Sequence, residues 1–140
     1  MKTQNVWDNL NFDENKPNIL KVLKGQAQLL ADKTKGILYA EVNPVDAFDE
    51  NTFDMAIVYN FYVFAPYLGN IRTLIFTVGE VSNKIILVDR IGDKGKSTPQ
   101  SIDDLVNKIG DIISGNECSS LITSLYASSL ENIPVNKRSR

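Results

Sequence analysis

Residues 60 to 80, NFYVFAPYLGNIRTLIFTVGE, constrain the fold of this chain more than any other stretch. Large apolar and aromatic side chains alternate along both halves of the segment, and Gly69 with Asn70 separates the halves. Alternation with a period of two is typical of β-strands, and glycine and asparagine both accept the positive φ angles of a tight hairpin turn. The segment therefore predicts an antiparallel β-hairpin with strands near 54 to 67 and 71 to 81.

A two-residue turn also predicts a register for this hairpin, with Leu68 facing Ile71. One face is then made of apolar pairs, which are Ala65 with Leu74, Val63 with Phe76 and Phe61 with Val78. The reverse face sets Phe64 against Ile75 and Tyr62 against a threonine. Both faces carry aromatic rings, so the sequence raises the question of what covers the second face.

Helical periodicity predicts one helix before this hairpin and two after it. Apolar residues recur every three or four positions from Ile19 to Ala31, in residues 102 to 114 and again in residues 116 to 130. Ser101 followed by Asp104 is a capping signal for the second helix, and Asn116 is the predicted cap of the third. Further strands are predicted near 37 to 43 and 85 to 91, with the inward-facing residues of the latter left open.

The element order predicts an α+β fold in two layers, with an N-terminal helix, a four-stranded antiparallel meander and two C-terminal helices. At 140 residues the chain is expected to form a single domain, 1–140. Residues 1–16 are expected to form an N-terminal arm, and residues 132–140 a flexible basic tail. Helices can cover one sheet face. The other is covered either by the arm, through Trp7, Leu10 and Phe12, or by a binding partner.

Composition argues against several classes of function. The 15 basic and 17 acidic residues give a net charge of −2, which provides no overall field for nucleic acid or an anionic membrane. The chain has no histidine, the commonest general base and zinc ligand, and Cys118 is its one cysteine. We expect no cofactor and no bound metal. The single cysteine and the absence of a long apolar run predict a soluble cytoplasmic protein.

Two short motifs are better explained by structure than by chemistry. The sequence GKST at residues 95 to 98 ends like a phosphate-binding loop, but Arg90 stands where the motif needs a glycine, and Pro99 interrupts the approach to the helix. We interpret it as an exposed turn. The acidic loop at residues 46–54 does not follow the calcium-loop pattern, and we interpret it as a solvated turn.

The reverse face of the hairpin is the best functional candidate in the sequence. We hypothesise a non-enzymatic interaction protein that binds another protein, or a second copy of itself as a homodimer, through Tyr62, Phe64, Ile75 and Arg72. Aromatic residues and arginine are where interface energy concentrates. In its general character, a small acidic α+β chain without a catalytic constellation, the sequence resembles many bacterial accessory, immunity and inhibitor proteins.

Two alternatives remain at this point. One is a small-molecule binder or carboxylate-dependent hydrolase with a pocket near the 46–54 loop, using Glu41, Asp46 or Asp89. The other is a nucleic-acid binder in which Tyr62 and Phe64 stack on bases. Its basic residues would be Arg72, Arg90, Lys94 and Lys96 with Lys137, Arg138 and Arg140 of the tail. The sequence lacks the strand order and the basic aromatic motif of RNA-recognition domains, so nucleic acid is not the expected partner.

Overall fold

The computed structural model describes residues 7, 8, 10, 18–49, 54–81, 83–92 and 94–134, except for the side chains of residues 46–49 and 54–56. The described elements are α1 (Ile19–Lys33), β1 (Tyr39–Asp49), β2 (Asp54–Ala65), a 3-10 turn (Pro66–Leu68), β3 (Ile71–Val81), β4 (Lys84–Asp89), β5 (Lys96–Ser97), α2 (Ile102–Ser114) and α3 (Asn116–Asn132). The five strands form one antiparallel sheet in the order β1-β2-β3-β4-β5. The predicted α+β fold is confirmed, with one strand more than expected.

Side-chain caps begin the first two helices. The Asn18 side chain accepts a hydrogen bond from the Lys21 backbone N–H at 2.9 Å, and Ser101 Oγ accepts one from the Asp104 N–H at 3.0 Å. These bonds satisfy donors that the first helical turn cannot pair internally. The capping role predicted for Asn116 is wrong, because Gly115 is the N-cap of α3 and no side chain caps it.

The β2–β3 hairpin is longer than the sequence indicated. Gly69 and Asn70 do adopt positive φ angles, 69° and 61°, but Pro66–Leu68 form a 3-10 turn before them. Proline suits the first position of such a turn, because its φ angle is preset and its missing N–H is not needed there. The predicted register is therefore wrong, and the observed pairs include Phe61 with Phe76, Tyr62 with Leu74 and Phe64 with Arg72.

A β-bulge places Ile75 in the core. The register shifts between Phe61 and Tyr62, so β3 has one residue more than β2 at this point. A bulge disturbs the strict alternation of side chains, so that two successive residues can point to the same side. Ile75 and Phe76 both have 0% exposure. The prediction that Ile75 lies on the reverse face beside Phe64 is thus wrong.

We call the helix-covered side of the sheet the inner face. The rings of Phe61 and Phe76 stack there, with centroids 4.7 Å apart and an interplanar angle of 10°. Leu87 is buried in the same core and Ile85 packs against it, which settles the orientation of β4. The core combines sheet and helix residues, including Leu23, Phe61, Val63, Ile75, Phe76, Val78, Leu87, Leu105, Ile109, Cys118 and Leu125.

Strand β1 runs well past its predicted end at residue 43 and includes Pro44. Among the described strands β1 pairs only with β2, so it lies at an edge of the sheet. Proline is tolerated on an edge strand, where its missing N–H need not break a ladder bond. Pairing with β2 as far as Asp49 therefore overrides the local turn preference of this polar, proline-containing segment.

Candidate partner-binding face

The outer face is the side of the sheet opposite the inner face. Successive residues of a strand point to opposite faces, and paired residues on neighbouring strands point to the same face, so the pairing defines which residues lie on the outer face. The outer-face residues with described side chains are Tyr39, Glu41, Asn43, Val45, Val58, Asn60, Tyr62, Phe64, Arg72, Leu74, Thr77, Val81, Lys84, Ile86, Val88 and Lys96. The large apolar and aromatic residues in this set are absent from the cluster that packs with α1, α2 and α3. The described helices therefore cover the inner face.

A cation–π contact and an ion pair organise one end of the outer face. The Arg72 guanidinium carbon lies 4.8 Å from the centroid of the Tyr62 ring, and Arg72 Nη1 lies 3.4 Å from a carboxylate oxygen of Glu41. Both partners of the ion pair are partly exposed, so solvent and salt weaken their attraction. The two contacts orient the Arg72 side chain over Tyr62, and Phe64 is paired with Arg72 across the strands.

A hydrogen-bonded row crosses the middle of the outer face. Thr77 Oγ1 donates to the Asn60 side-chain oxygen at 2.9 Å and accepts a bond from Arg90 Nε at 3.0 Å. The Arg90 side chain thus reaches this face from just beyond the end of β4. Because Thr77 is buried, its hydroxyl would be costly without these partners, and both of its hydrogen-bonding roles are satisfied here.

Apolar side chains on both sides of this row remain in contact with solvent. Tyr39 and Val45 expose 45% and 44% of their surface, and Tyr62 and Phe64 are partly exposed. Of the arm residues predicted to cover the face, Trp7 and Leu10 are themselves 64% and 51% exposed, and Phe12 lies outside the described residues. Trp7 and Leu10 thus keep more than half of their own surface in contact with solvent.

Three of the four predicted partner-binding residues are together on the outer face. Arg72 lies over Tyr62, and Phe64 pairs with Arg72 across the strands. Ile75 lies beneath them in the core and is not available to a partner. The sequence analysis left the facing of Glu41 open and grouped Arg90 with Tyr62 and Phe64 only in the nucleic-acid alternative, because the bulge and the true register decide which residues meet there.

The carboxylates proposed for hydrolysis do not converge among the described side chains. Glu41 lies on the outer face and Asp89 on the inner side of β4, so the sheet separates them. The Asp46 side chain lies outside the described residues, as do residues 50–53 of the acidic stretch. Glu41 and Asp89 therefore cannot act as a catalytic pair.

Asp89 has a structural role at the end of β4. Its carboxylate accepts backbone hydrogen bonds from Ile91 and Gly92 at 2.9 Å and from Lys94 at 3.2 Å. Burial by itself disfavours the charged form, but the three donors and the nearby Lys94 charge outweigh it and lower the pKa of Asp89. The carboxylate shapes the loop between β4 and β5.

Cys118 lies near this loop, where a cleft of about 420 Å³ opens between the loop and the junction of α2 and α3. The cysteine is 1% exposed. Burial, reinforced by the negative charge of Asp89, raises the pKa of Cys118 to about 11. At neutral pH the thiol is protonated and poorly nucleophilic, so the residue acts as a small apolar core residue.

The remaining motif also proves structural. In GKST, Lys96 and Ser97 form β5 against β4, and Gly95 has a φ of 66°, so the predicted exposed turn is in part a strand.

Over the part of the chain that the structure describes, no three acidic or cysteine side chains cluster as metal ligands would. None of the described helices is long and apolar enough to cross a bilayer.

We compared the chain with models of protein families, with curated proteins and with solved structures, and found no match. The argument for function therefore depends on the geometry and charge of the outer face.

Proposed function

We propose that this protein is a non-enzymatic interaction domain that binds another polypeptide through the outer face of its sheet. The observation that supports the proposal is the one-sided packing of the fold. All three described helices contribute to the inner core, whereas Tyr62, Phe64 and their neighbours on the opposite side stay partly exposed. A soluble sheet whose second face needs no partner normally carries polar residues there.

The size of the face fits such a role. Four strands spaced about 4.8 Å apart, each with five residues rising about 3.3 Å, cover roughly 300 Å². Apolar and aromatic side chains occupy part of this footprint, and apolar patches approaching a few hundred Å² on a monomer are often functional. Tyr62 and Arg72 also belong to the residue types that dominate binding energy, and their mutual contact holds both in place before a partner arrives.

The chemistry of the face favours binding over catalysis. Its hydrogen-bonding groups in the central row already satisfy one another, and its one described carboxylate is paired with Arg72. A general acid or base needs a free, suitably tuned group within reach of a substrate.

We place the protein in a reducing compartment such as the cytoplasm, since its single buried thiol does not form an internal disulfide.

The experiment is a comparative capture from lysate of the native cells. The bait proteins are the wild type, the Tyr62→Ala/Phe64→Ala variant and a matched control, Leu29→Ala/Leu130→Ala, which removes exposed apolar residues from α1 and α3. Quantitative mass spectrometry of the captured proteins is the readout. We expect a polypeptide that the wild type and the control retain and the outer-face variant loses. Capture that is the same for all three baits refutes the proposal.

A further inference from the structure

The outer face carries more positive charge than the rest of the chain predicts. Among its described side chains four are cationic, Arg72, Lys84, Arg90 and Lys96, and one is anionic, Glu41. Among these described side chains the positive charges outnumber the negative one, whereas the whole chain carries −2. The sequence total hid this separation, which appears only when the register assigns residues to faces.

Three of the four cations occupy one side of the face, whereas Arg72 lies on β3 over Tyr62. Lys84 is on β4, Lys96 on β5 and Arg90 just past β4, whereas Tyr62 and Phe64 are on β2. Lys84, Arg90 and Lys96 are exposed, and none forms an ion pair with a described residue. Because strands are spaced about 4.8 Å apart, the cationic strip begins about 10 Å from the aromatic pair.

From this arrangement we propose that the partner presents an acidic surface, with apolar groups that contact Tyr62 and Phe64 and carboxylates that contact the β4–β5 strip. The inference rests on the proposed function and adds the chemistry of the partner. Opposite charges across an interface speed encounter and fix orientation, and like charges exclude wrong partners.

Charge also argues against a second copy of the chain as the partner. In a two-fold dimer formed through the outer face, both copies would bring the same cationic strip to the interface. Among the described outer-face side chains each copy could offer only Glu41 as a carboxylate, and Glu41 already pairs with Arg72. Like-charge juxtaposition of this kind opposes association.

The same contacts favour a polypeptide over single-stranded nucleic acid. Proteins that bind single strands stack bases on free aromatic rings. The Arg72 guanidinium lies over the Tyr62 ring at 4.8 Å from its centroid, so that side of the ring is not available to a base. Much of the remaining face is aliphatic, through Val58, Ile86 and Val88, which suits leucine or valine side chains better than bases.

The probe is a synthetic peptide of alternating glutamate and leucine with the length of β1, 11 residues, and its counterpart has lysine in place of glutamate. Binding to the purified protein is measured by fluorescence anisotropy. We expect the acidic peptide to bind and the basic one not to bind. The affinity should fall as ionic strength rises from about 0.05 M to about 0.2 M, because the screening length shortens.

Charge reversal provides the matched test. Lys84→Glu/Lys96→Glu should weaken binding of the acidic peptide about tenfold, whereas Lys24→Glu/Lys35→Glu, which reverses two exposed lysines near α1, should change it less than about twofold. Circular dichroism and thermal unfolding establish that both variants are folded. Equal binding of the two peptides, no binding of the acidic one, or wild-type affinity in the β4–β5 variant overturns the inference.

Two further measurements test the other possible partners of the outer face, which are a single-stranded nucleic acid and a second copy of the chain. Tighter binding of a single-stranded oligouridylate than of the acidic peptide would assign the strip to nucleic acid. A dimer seen by sedimentation that Phe64→Ala abolishes would assign the face to a second copy, and either result overturns the acidic partner. If the Tyr62→Ala/Phe64→Ala variant loses the captured protein while Lys84→Glu/Lys96→Glu keeps it, the proposed function stands and only this inference fails.

Discussion

Two single variants on β2, Phe61→Ala and Phe64→Ala, test which side of the sheet is covered. Phe61 is 3% exposed and stacks on Phe76, whereas Phe64, three residues later, lies on the outer face and is partly exposed. We expect Phe61→Ala to lower the free energy of unfolding by about 3–5 kcal/mol, since it removes a buried ring and leaves a cavity. Phe64→Ala should lower the free energy of unfolding by about 1 kcal/mol or less, which is the range over which residues differ in their preference for β-strands.

Urea unfolding followed by Trp7 fluorescence and far-ultraviolet circular dichroism measures both changes. With a slope of about 2 kcal/mol per M, the midpoint should fall by about 2 M for Phe61→Ala and by about 0.5 M or less for Phe64→Ala. If Phe61→Ala does not fold, Phe61→Leu provides a milder loss of the same sign. Equal losses at the two positions would mean that the outer face is as well packed as the inner one, and would refute the one-sided packing on which the function depends.

Three other predictions concern single groups in the core. Ser129 has 0% exposure and its hydroxyl has no hydrogen-bond partner among the described residues, so Ser129→Ala should raise the free energy of unfolding by about 1 kcal/mol; a loss of that size would contradict the unsatisfied hydroxyl. Asp89→Asn should lower the free energy of unfolding by about 1.5–3 kcal/mol at pH 7, because it removes the charged acceptor of three backbone hydrogen bonds. The lowered pKa of Asp89 means that its stabilisation is present above its unfolded pKa, about 3.9, and is lost as the pH falls through the folded value, so wild type and variant should converge in acid. Cys118, with its pKa raised to about 11, should resist a thiol reagent at pH 8 until urea unfolds the protein; fast labelling of the native protein would contradict its burial.

The sequence predicted those features of the fold that depend on local chemistry. The cap at Ser101, the positive φ angles at Gly69 and Asn70 and the change from helical to strand periodicity were all readable, because each depends on neighbouring residues. The order of helices and strands followed from the same signals. Lys96–Ser97 escaped prediction because a two-residue bridge has no periodicity.

The face assignments depended on tertiary structure and were only partly predictable. Tyr62 and Phe64 were placed correctly, because alternation along β2 is regular. Ile75 was placed wrongly, because the bulge that turns it inward reflects packing against Phe61 and the helices and has no local signature in β3. The length of the hairpin connection depended on the 3-10 turn at Pro66, which a two-residue turn prediction did not include.

The charge of the outer face was the least predictable property of all. Lys84, Arg90 and Lys96 are separated in sequence by turns and a loop, and only the pairing of β3, β4 and β5 brings them to one side. A total of −2 excluded an overall field and left open whether a local patch exists. Charge separation of this kind is a product of strand register.

Site-specific photo-crosslinking in the native cells tests the central claim most directly. A p-benzoylphenylalanine at position 62 on the outer face is compared with one at position 130, an exposed site on α3. After illumination the account predicts an adduct between position 62 and an acidic polypeptide, and none with that polypeptide from position 130. The absence of an adduct at position 62, or the same adduct from both positions, would contradict a binding role for the outer face.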